Sequence, residues 1–170
     1  MPAPAMIRPA VATDPPQLQE QFSQIGWSKP DGYFADCVRL QEEGKIVLLI
    51  AEIDGHYVGH CKVVWEPDYP YFKEQNIPET QDLNVLTQVR RQGVATQLMD
   101  ESERRIGERS DLAGIGFGLY KDYGAAQRMY VLRGYVPDSQ GITYNNVLAT
   151  PGESYPVDDD LVLCLVKRLR

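Results

Sequence analysis

A chain of 170 residues is long enough for one domain with a substantial core, and 43% hydrophobic with 24% charged residues is ordinary for a globular protein. The formal net charge of −7 works against nucleic acid as the main partner, because neutralising phosphates takes an excess of Lys and Arg. The longest apolar run, residues 46–51, falls far short of the about 20 residues that cross a bilayer, so nothing points to a membrane.

No repeat, low-complexity tract or charge block divides the chain, so residues 1–170 read as a single domain. Residues 1–6 lack the basic and apolar regions of a signal peptide. Residues 5–8 read as a first short strand. Asp14, followed by Pro15 and Pro16, opens a helix with Leu18, Phe22 and Ile25 on one face. A second helix over 31–43 carries Phe34, Cys37, Val38 and Gln41 at helical spacing and stops at Gly44. Strands over 46–53 and 56–65 are joined by Asp54-Gly55, a hairpin signal.

Residues 66–80 hold three prolines and three aromatics and read as a loop with room for a helical turn; loops this long are usually functional or mobile. A strand over 82–86 leads to a helix over 93–107 with Ala95, Leu98, Met99, Ser102 and Ile106 facing inward. A strand over 113–119 and a short helix over 123–133 follow. Residues 135–136 begin a strand whose return partner is 161–166, and the connection 137–160 reads as long and turn-rich. The order β-α-α-β-β-β-α-β-α-β-β implies an α/β fold, a mixed sheet with helices on both faces.

Residues 83–99 carry the clearest chemistry. An apolar strand runs through a short basic loop directly into an amphipathic helix, with Arg90-x-x-Gly93-x-Ala95 at the junction. A helix N-terminus presents unpaired N–H groups and partial positive charge, which attract phosphate. Gly93 and Ala95 leave that backbone uncovered, and Arg90 and Arg91 add charge beside it. The segment reads as a diphosphate cradle; its plain alternative is a glycine easing a tight turn beside solvated arginines. The Gly-Lys-Ser/Thr ending of a P-loop is absent. In the strand before it, Asp82, Asn84 and Leu86 share one face, while Leu83 and Val85 share the other. Further on, Ala126 and Tyr130 share a helical face, and Gly134 is placed to stop that helix in a left-handed conformation.

Other signals carry less. Gly114-x-Gly116-x-Gly118 opens no helix at once, so it reads as a glycine-thinned strand beside a ligand or neighbouring backbone rather than a dinucleotide fingerprint. His56 and His60 share a strand face without further metal ligands and read as surface or hairpin histidines. Asp158, Asp159 and Asp160 read as a solvated loop, with lining of a site for a cationic substrate as the alternative. Cys37, Cys61 and Cys164 are odd in number and widely spaced in apolar runs, which points to buried free thiols in a reducing cytoplasm. No Ser-His-Asp or Cys-His arrangement can be assembled.

Segment 83–99 resembles the acyl-CoA-binding motif of the GNAT N-acetyltransferase superfamily, Arg/Gln-x-x-Gly-x-Gly/Ala after a central strand. Residues 123–135 resemble that superfamily's second signature, Asn-x-x-Ala-x-x-x-Tyr-x-x-x-Gly-Phe, with Ala126, Tyr130, Gly134 and Tyr135 at matching offsets and Tyr123 in place of the asparagine. The element order is also similar to GNAT topology, so the resemblance covers most of the chain.

The resemblance implies a GNAT-like acyl-CoA N-acyltransferase fold, with a central, mixed, mostly antiparallel sheet. It implies transfer from acetyl-CoA, without a metal, to a primary amine of a small molecule or peptide, in a cytoplasmic monomer or homodimer. Arg90 and the backbone of Arg91, Gln92, Gly93, Val94, Ala95 and Thr96 would hold the diphosphate. The Val85 backbone would pair with pantetheine, and Tyr123, Ala126 and Tyr130 would contact the cofactor. Tyr130 would protonate the departing thiolate, a task that suits a neutral phenol; its alternative is a buried helix tyrosine bonded to backbone. Glu79, ahead of Asp82, is the expected base, and both have solvated loop-end carboxylates as the alternative. Residues 66–80, with Tyr69, Tyr71 and Phe72, and the 137–160 connection would form the acceptor site, unless those aromatics just pack the loop down. Two other classes keep the cradle: a non-catalytic acyl-CoA sensor, which has no need of Tyr130, and a nucleotide-phosphate-binding module unrelated to CoA.

Overall fold

The computed structural model describes residues 4–24 and 29–170. Ile25 and residues 1–3, part of the first-helix and signal-peptide readings, lie outside the described residues. In chain order the elements are β1 (Met6–Pro9), α1 (Pro15–Gln24), α2 (Tyr33–Glu42), β2 (Ile46–Ile53), β3 (His56–Val64), α3 (Pro70–Glu74), β4 (Glu79–Val85), α4 (Val94–Gly107), β5 (Leu112–Gly118), α5 (Gly124–Leu132), β6 (Val136–Tyr144), β7 (Val147–Leu148) and β8 (Leu161–Arg168). Among the described residues this is an α/β fold whose eight strands form a mixed, mostly antiparallel sheet, accompanied by five helices. The chain divides into two compact units, Met1–Trp65 with Thr80–Arg105, and Glu66–Glu79 with Ile106–Arg170.

In the first unit the strand order is β1-β2-β3-β4. β2 pairs antiparallel with β1 (Ile7↔Ala51) and with β3 (Leu49↔Cys61, Ile50↔His60). The run Ile46 to Ala51 is apolar without alternation because both sides of β2 are covered. Leu48 and Ile50 join Leu18 and Phe22 of α1 and Phe34, Cys37 and Val38 of α2 in one cluster. Leu49 and Ala51 join Val58, Cys61 and the α4 residues Val94 and Leu98 in another. Helices thus cover both faces of this strand.

The local signals hold. Asp54 and Gly55 have φ of 51° and 76°, the doubly left-handed conformation of a type I′ hairpin. Gly44, at φ 75°, closes α2 as a Schellman motif, with Gly44 N–H donating to Gln41 and Lys45 N–H to Leu40.

In the second unit β5 pairs antiparallel with β8 (Gly116↔Cys164), and the order is β5-β8-β6-β7. Two sequence expectations need correction here. Residues 137–160 are not one irregular connection: β6 runs to Tyr144 and turns back into β7 through left-handed Asn145 and Asn146. Its pairing with β8 shifts register between Pro137 and Ile142, where Ser139 and Gly141 have φ of 70° and 82°. This irregularity breaks the alternation that marks a strand. Residues 66–80 do hold a helical turn, α3, but β4 begins at Glu79 rather than 82.

The glycines of β5 do thin a strand, but for side chains rather than a ligand or backbone. A Cβ on Gly114 would lie within 3 Å of the Phe72 ring, and one on Gly118 within 3 Å of the Tyr123 ring. Tyr69 and Phe72 are buried with Ile77 and Cys164, so the α3 aromatics pack this segment down.

Candidate active site

Between β4 and α4 the chain makes a 3-10 turn at Thr87–Val89, then two left-handed residues in close succession, Arg91 (φ 63°) and Gly93 (φ 84°). A Cβ on Gly93 would meet no atom within 4 Å. Glycine is therefore required by the backbone conformation, and the space beside it is open to a ligand. The first hydrogen bond of the helix runs from Gln97 N–H to Gly93 C=O, 3.0 Å, so the N–H groups of Val94, Ala95 and Thr96 precede the helical ladder. Arg90, Arg91 and Gln92 are exposed around this end.

Below it, buried Val94, Leu98, Met99, Ser102 and Ile106 anchor α4. The Ser102 hydroxyl meets Thr80 of β4 at 2.5 Å, a buried polar tie between helix and strand. Arg90 Nε donates to the Val85 carbonyl at 3.2 Å, which links loop and strand at the backbone group expected to contact pantetheine.

Three residues earlier on β4, Asp82 is the hub of a polar cluster. Its Oδ1 accepts from Lys29 Nζ at 2.5 Å and Asn84 Nδ2 at 2.8 Å; its Oδ2 accepts from the Tyr33 hydroxyl and lies 3.0 Å from His60 Nε2. A carboxylate only accepts, so His60 Nε2 carries the proton of that bond. In the neutral ring, Nδ1 then accepts from the Tyr57 hydroxyl at 2.6 Å. Burial pushes the Asp82 carboxyl up, but the hydrogen bonds from His60 and Lys29 and the Lys29 charge outweigh it and hold the group well below the usual carboxylate range. Asp82 also has a left-handed backbone, φ 56°, inside a strand, a conformation that its four side-chain partners can sustain.

His60 lies in the β2–β3 hairpin but is fully buried, which corrects its reading as a surface histidine; His56 is exposed as expected. β3 is covered nearly throughout, and the imidazole is admitted because both nitrogens are bonded. Sequence reasoning missed Lys29, Tyr33 and Tyr57 altogether and gave His60 no place beside Asp82. No local pattern could have found them, since 53 residues separate Lys29 from Asp82.

In the second unit, α5 places Ala126 and Tyr130 on one helix and ends on Gly134 (φ 95°), whose N–H donates to Val131 while Tyr135 N–H donates to Tyr130. Tyr130 is buried and packs against Phe117 and Tyr135, ring centroids 6.5 and 6.2 Å away. Tyr123 lies on Gly118, and its hydroxyl donates to Asp159 Oδ1 at 2.8 Å, alongside that of Tyr120 at 2.5 Å. The phenol that replaces the signature asparagine is thus spent on a carboxylate of its own unit. Burial, then the Asp159 hydrogen bond, push its ionisation up. Asp158 accepts from Tyr144 at 2.9 Å. Glu79, half-buried at the start of β4, lies near Gly116: a Cβ there would be 3.8 Å from Glu79 Oε1.

A family model described as the acetyltransferase (GNAT) family matches residues 13–135. The chain belongs to the GNAT acetyltransferase family. Solved structures agree on the fold. Ard1 of Thermoplasma volcanium superposes with a TM-score of 0.70 at 16% identity, covering 99% of each chain. An N-acetyltransferase of Staphylococcus aureus Mu50 gives 0.70 at 18%, covering 99% of this chain and all of the other. The yncA protein of Salmonella typhimurium, solved with its cofactor acetyl-CoA, gives 0.65 at 16%, covering 99% and 95%. No curated protein sequence matches this GNAT chain. The GNAT match takes in both motifs, the β4–α4 junction and α5 with Tyr135. Among the described residues, no helix of this GNAT protein is long and apolar enough to cross a membrane.

Proposed function

We propose that the chain, as one acetyltransferase domain, transfers the acetyl group of acetyl-CoA to a primary amine by direct attack. The observation that carries this reading is the β4–α4 junction. There a left-handed Gly93 with open space at its Cα opens a helix whose first N–H groups are outside the ladder, beside two exposed arginines. Val94, Ala95 and Thr96 N–H, with the Gln92 and Gly93 backbone, bind the diphosphate, and Arg90 and Arg91 neutralise it. Binding the donor there orients the thioester along β4, where Val85 offers its backbone to pantetheine; proximity supplies much of the rate. Ala126 and Tyr123 contribute to the cofactor surface of α5.

The amine nitrogen bonds to the thioester carbon, the C–S bond breaks, and Tyr130 gives its proton to the sulfur. An attacking amine must be neutral, and Glu79 takes its proton. Asp82 is the weaker base, because four donors favour its charged form. The three buried, unpaired cysteines fit a reducing compartment such as the cytoplasm.

The test is a screen of acetyl-CoA-dependent thiol release across small amines, diamines and peptides. Turnover with at least one amine is expected. Tight CoA binding with no turnover on any acceptor would instead favour the acyl-CoA sensor.

A further inference from the structure

The first unit contains an ammonium-binding arrangement filled by the chain itself. Lys29 Nζ lies 2.5 Å from Asp82 Oδ1, 4.8 Å from the Tyr33 ring centroid and 5.7 Å from that of Phe22. A carboxylate joined to aromatic faces is the chemistry that recognises an alkylammonium. The arrangement does not depend on Lys29 for its shape. The Tyr33 hydroxyl donates to Asp82, His60 and Asn84 bond the same carboxylate, and Tyr57 holds the far side of His60. Tyr33 also packs edge-on against fully buried Phe34, ring centroids 5.3 Å apart, so its ring is fixed. With Lys29 withdrawn, a preorganised anion would face an aromatic wall.

Exchange is physically open. The side chains of Lys29 and Asp82 are 19% and 16% exposed, so the pair reaches water. Replacing one ammonium by another buries no new charge, which removes the penalty that usually forbids a cation in such a place.

We propose that Asp82, Tyr33 and Phe22 form a subsite for an aliphatic primary ammonium, which Lys29 occupies in the free protein and which a second, non-reacting ammonium of a diamine acceptor takes over. The role as an acceptor subsite rests on the proposed acetyl transfer; the ammonium site itself does not. A nitrogen docked on Asp82 stays protonated, because the carboxylate is held in its charged form. The nucleophile is therefore the other nitrogen of the same molecule. Strand rise places Val85, three residues on, at most about 10 Å from Asp82, a span that a short aliphatic diamine bridges. In the reaction the free amine forms the C–N bond, the thioester C–S bond breaks, the amine proton goes to the base and the sulfur is protonated. The docked ammonium is unchanged throughout.

The experiment is a calorimetric titration of 1,5-diaminopentane, without acetyl-CoA, into the wild-type chain, Lys29→Ala and the double variant Lys29→Ala/Asp82→Asn. Pentan-1-ol serves as the uncharged control. Removing the internal competitor is expected to tighten diamine binding at least tenfold, and the second substitution to abolish that gain, with no response to the alcohol. Circular dichroism checks that each variant folds; should the Asp82 variant fail, Lys29→Ala/Tyr33→Leu removes the aromatic face instead and is expected to lose most of the gain. In turnover, Lys29→Ala is expected to lower KM for 1,5-diaminopentane relative to pentylamine while kcat for the two stays in the same ratio.

Equal diamine affinity in the wild type and the variants, or no binding in any, overturns the subsite, even where thiol release proceeds with pentylamine. Asp82-dependent binding without thiol release from any amine keeps the ammonium site and overturns the acetyl-transfer reading on which its acceptor role rests.

Discussion

Removing one oxygen from Tyr130 separates proton donation from packing. Its ring is buried against Phe117 and Tyr135, and Tyr130→Phe keeps that volume, so the helix and the cofactor surface should survive. Under the proposed mechanism the lost group is the acid that protonates the leaving thiolate, a role worth about 10²- to 10⁴-fold in rate. CoA affinity of Tyr130→Phe by calorimetry is expected to stay within about twofold of wild type, while kcat for thiol release falls by about a hundredfold or more. Unchanged kcat would make Tyr130 a packing residue and move the acid elsewhere. Asp82 shows the converse economy. Its carboxylate is fully engaged by Lys29, Tyr33, His60 and Asn84, an arrangement that holds charge and backbone shape rather than moving a proton.

At the scale of elements, the seam between β3 and β4 is set by Gly59. A Cβ there would lie 2.6 Å from the Asn84 carbonyl oxygen and 3.3 Å from Val85 Cα, so backbone, not a pliable side chain, would have to yield. The adjoining Leu86 N–H to Val58 C=O bond, 2.9 Å, would be strained by the same shift. Gly59→Ala should cost about 1–3 kcal/mol, as overpacking does, and lower the melting temperature by several degrees. Because Asn84 and Val85 move with it, CoA affinity should fall too; a variant that melts like wild type and binds CoA equally would show that the seam is slack.

What sequence could reveal of these elements followed from how local each signal was. The β4–α4 junction was legible because strand, basic loop, Gly93 and amphipathic α4 are contiguous, and each local preference agrees with the fold. β6 was not, since its left-handed Ser139 and Gly141 erase the alternation of a strand. Burial of His60 was hidden for another reason. It is decided by Tyr57, three residues away, and by Asp82, 22 residues away, which only the folded sheet brings to the same imidazole.

For the whole molecule, the groups with displaced ionisation set the pH range of stability. Asp14 is lowered by its hydrogen bond to Arg8 against the opposing effect of burial, and Asp82 is lowered by His60 and Lys29 against the same opposition. A depressed carboxyl contributes stability that is complete above its unfolded value, near 3.8, and is lost as pH falls toward the folded one. Tyr33, Tyr57, Cys61 and Cys164 are displaced the other way, chiefly by burial. Their contribution is complete below the unfolded values, 9.0 for the thiols and 10.0 for the phenols, and is lost as pH rises beyond them. Melting temperature by circular dichroism should therefore be flat from about pH 5 to pH 8 and fall on both sides. Asp82→Asn should lower the plateau, because Lys29 loses its anion, and make the acid limb shallower, because one linked carboxylate is gone. With both side chains partly open to water, the plateau loss should be about 1–3 kcal/mol, below the 3–5 kcal/mol typical of breaking a fully buried pair. An acid limb of the same steepness in wild type and Asp82→Asn would mean that Asp82 carries no folding-linked charge, and the cluster around it would then be polar packing alone.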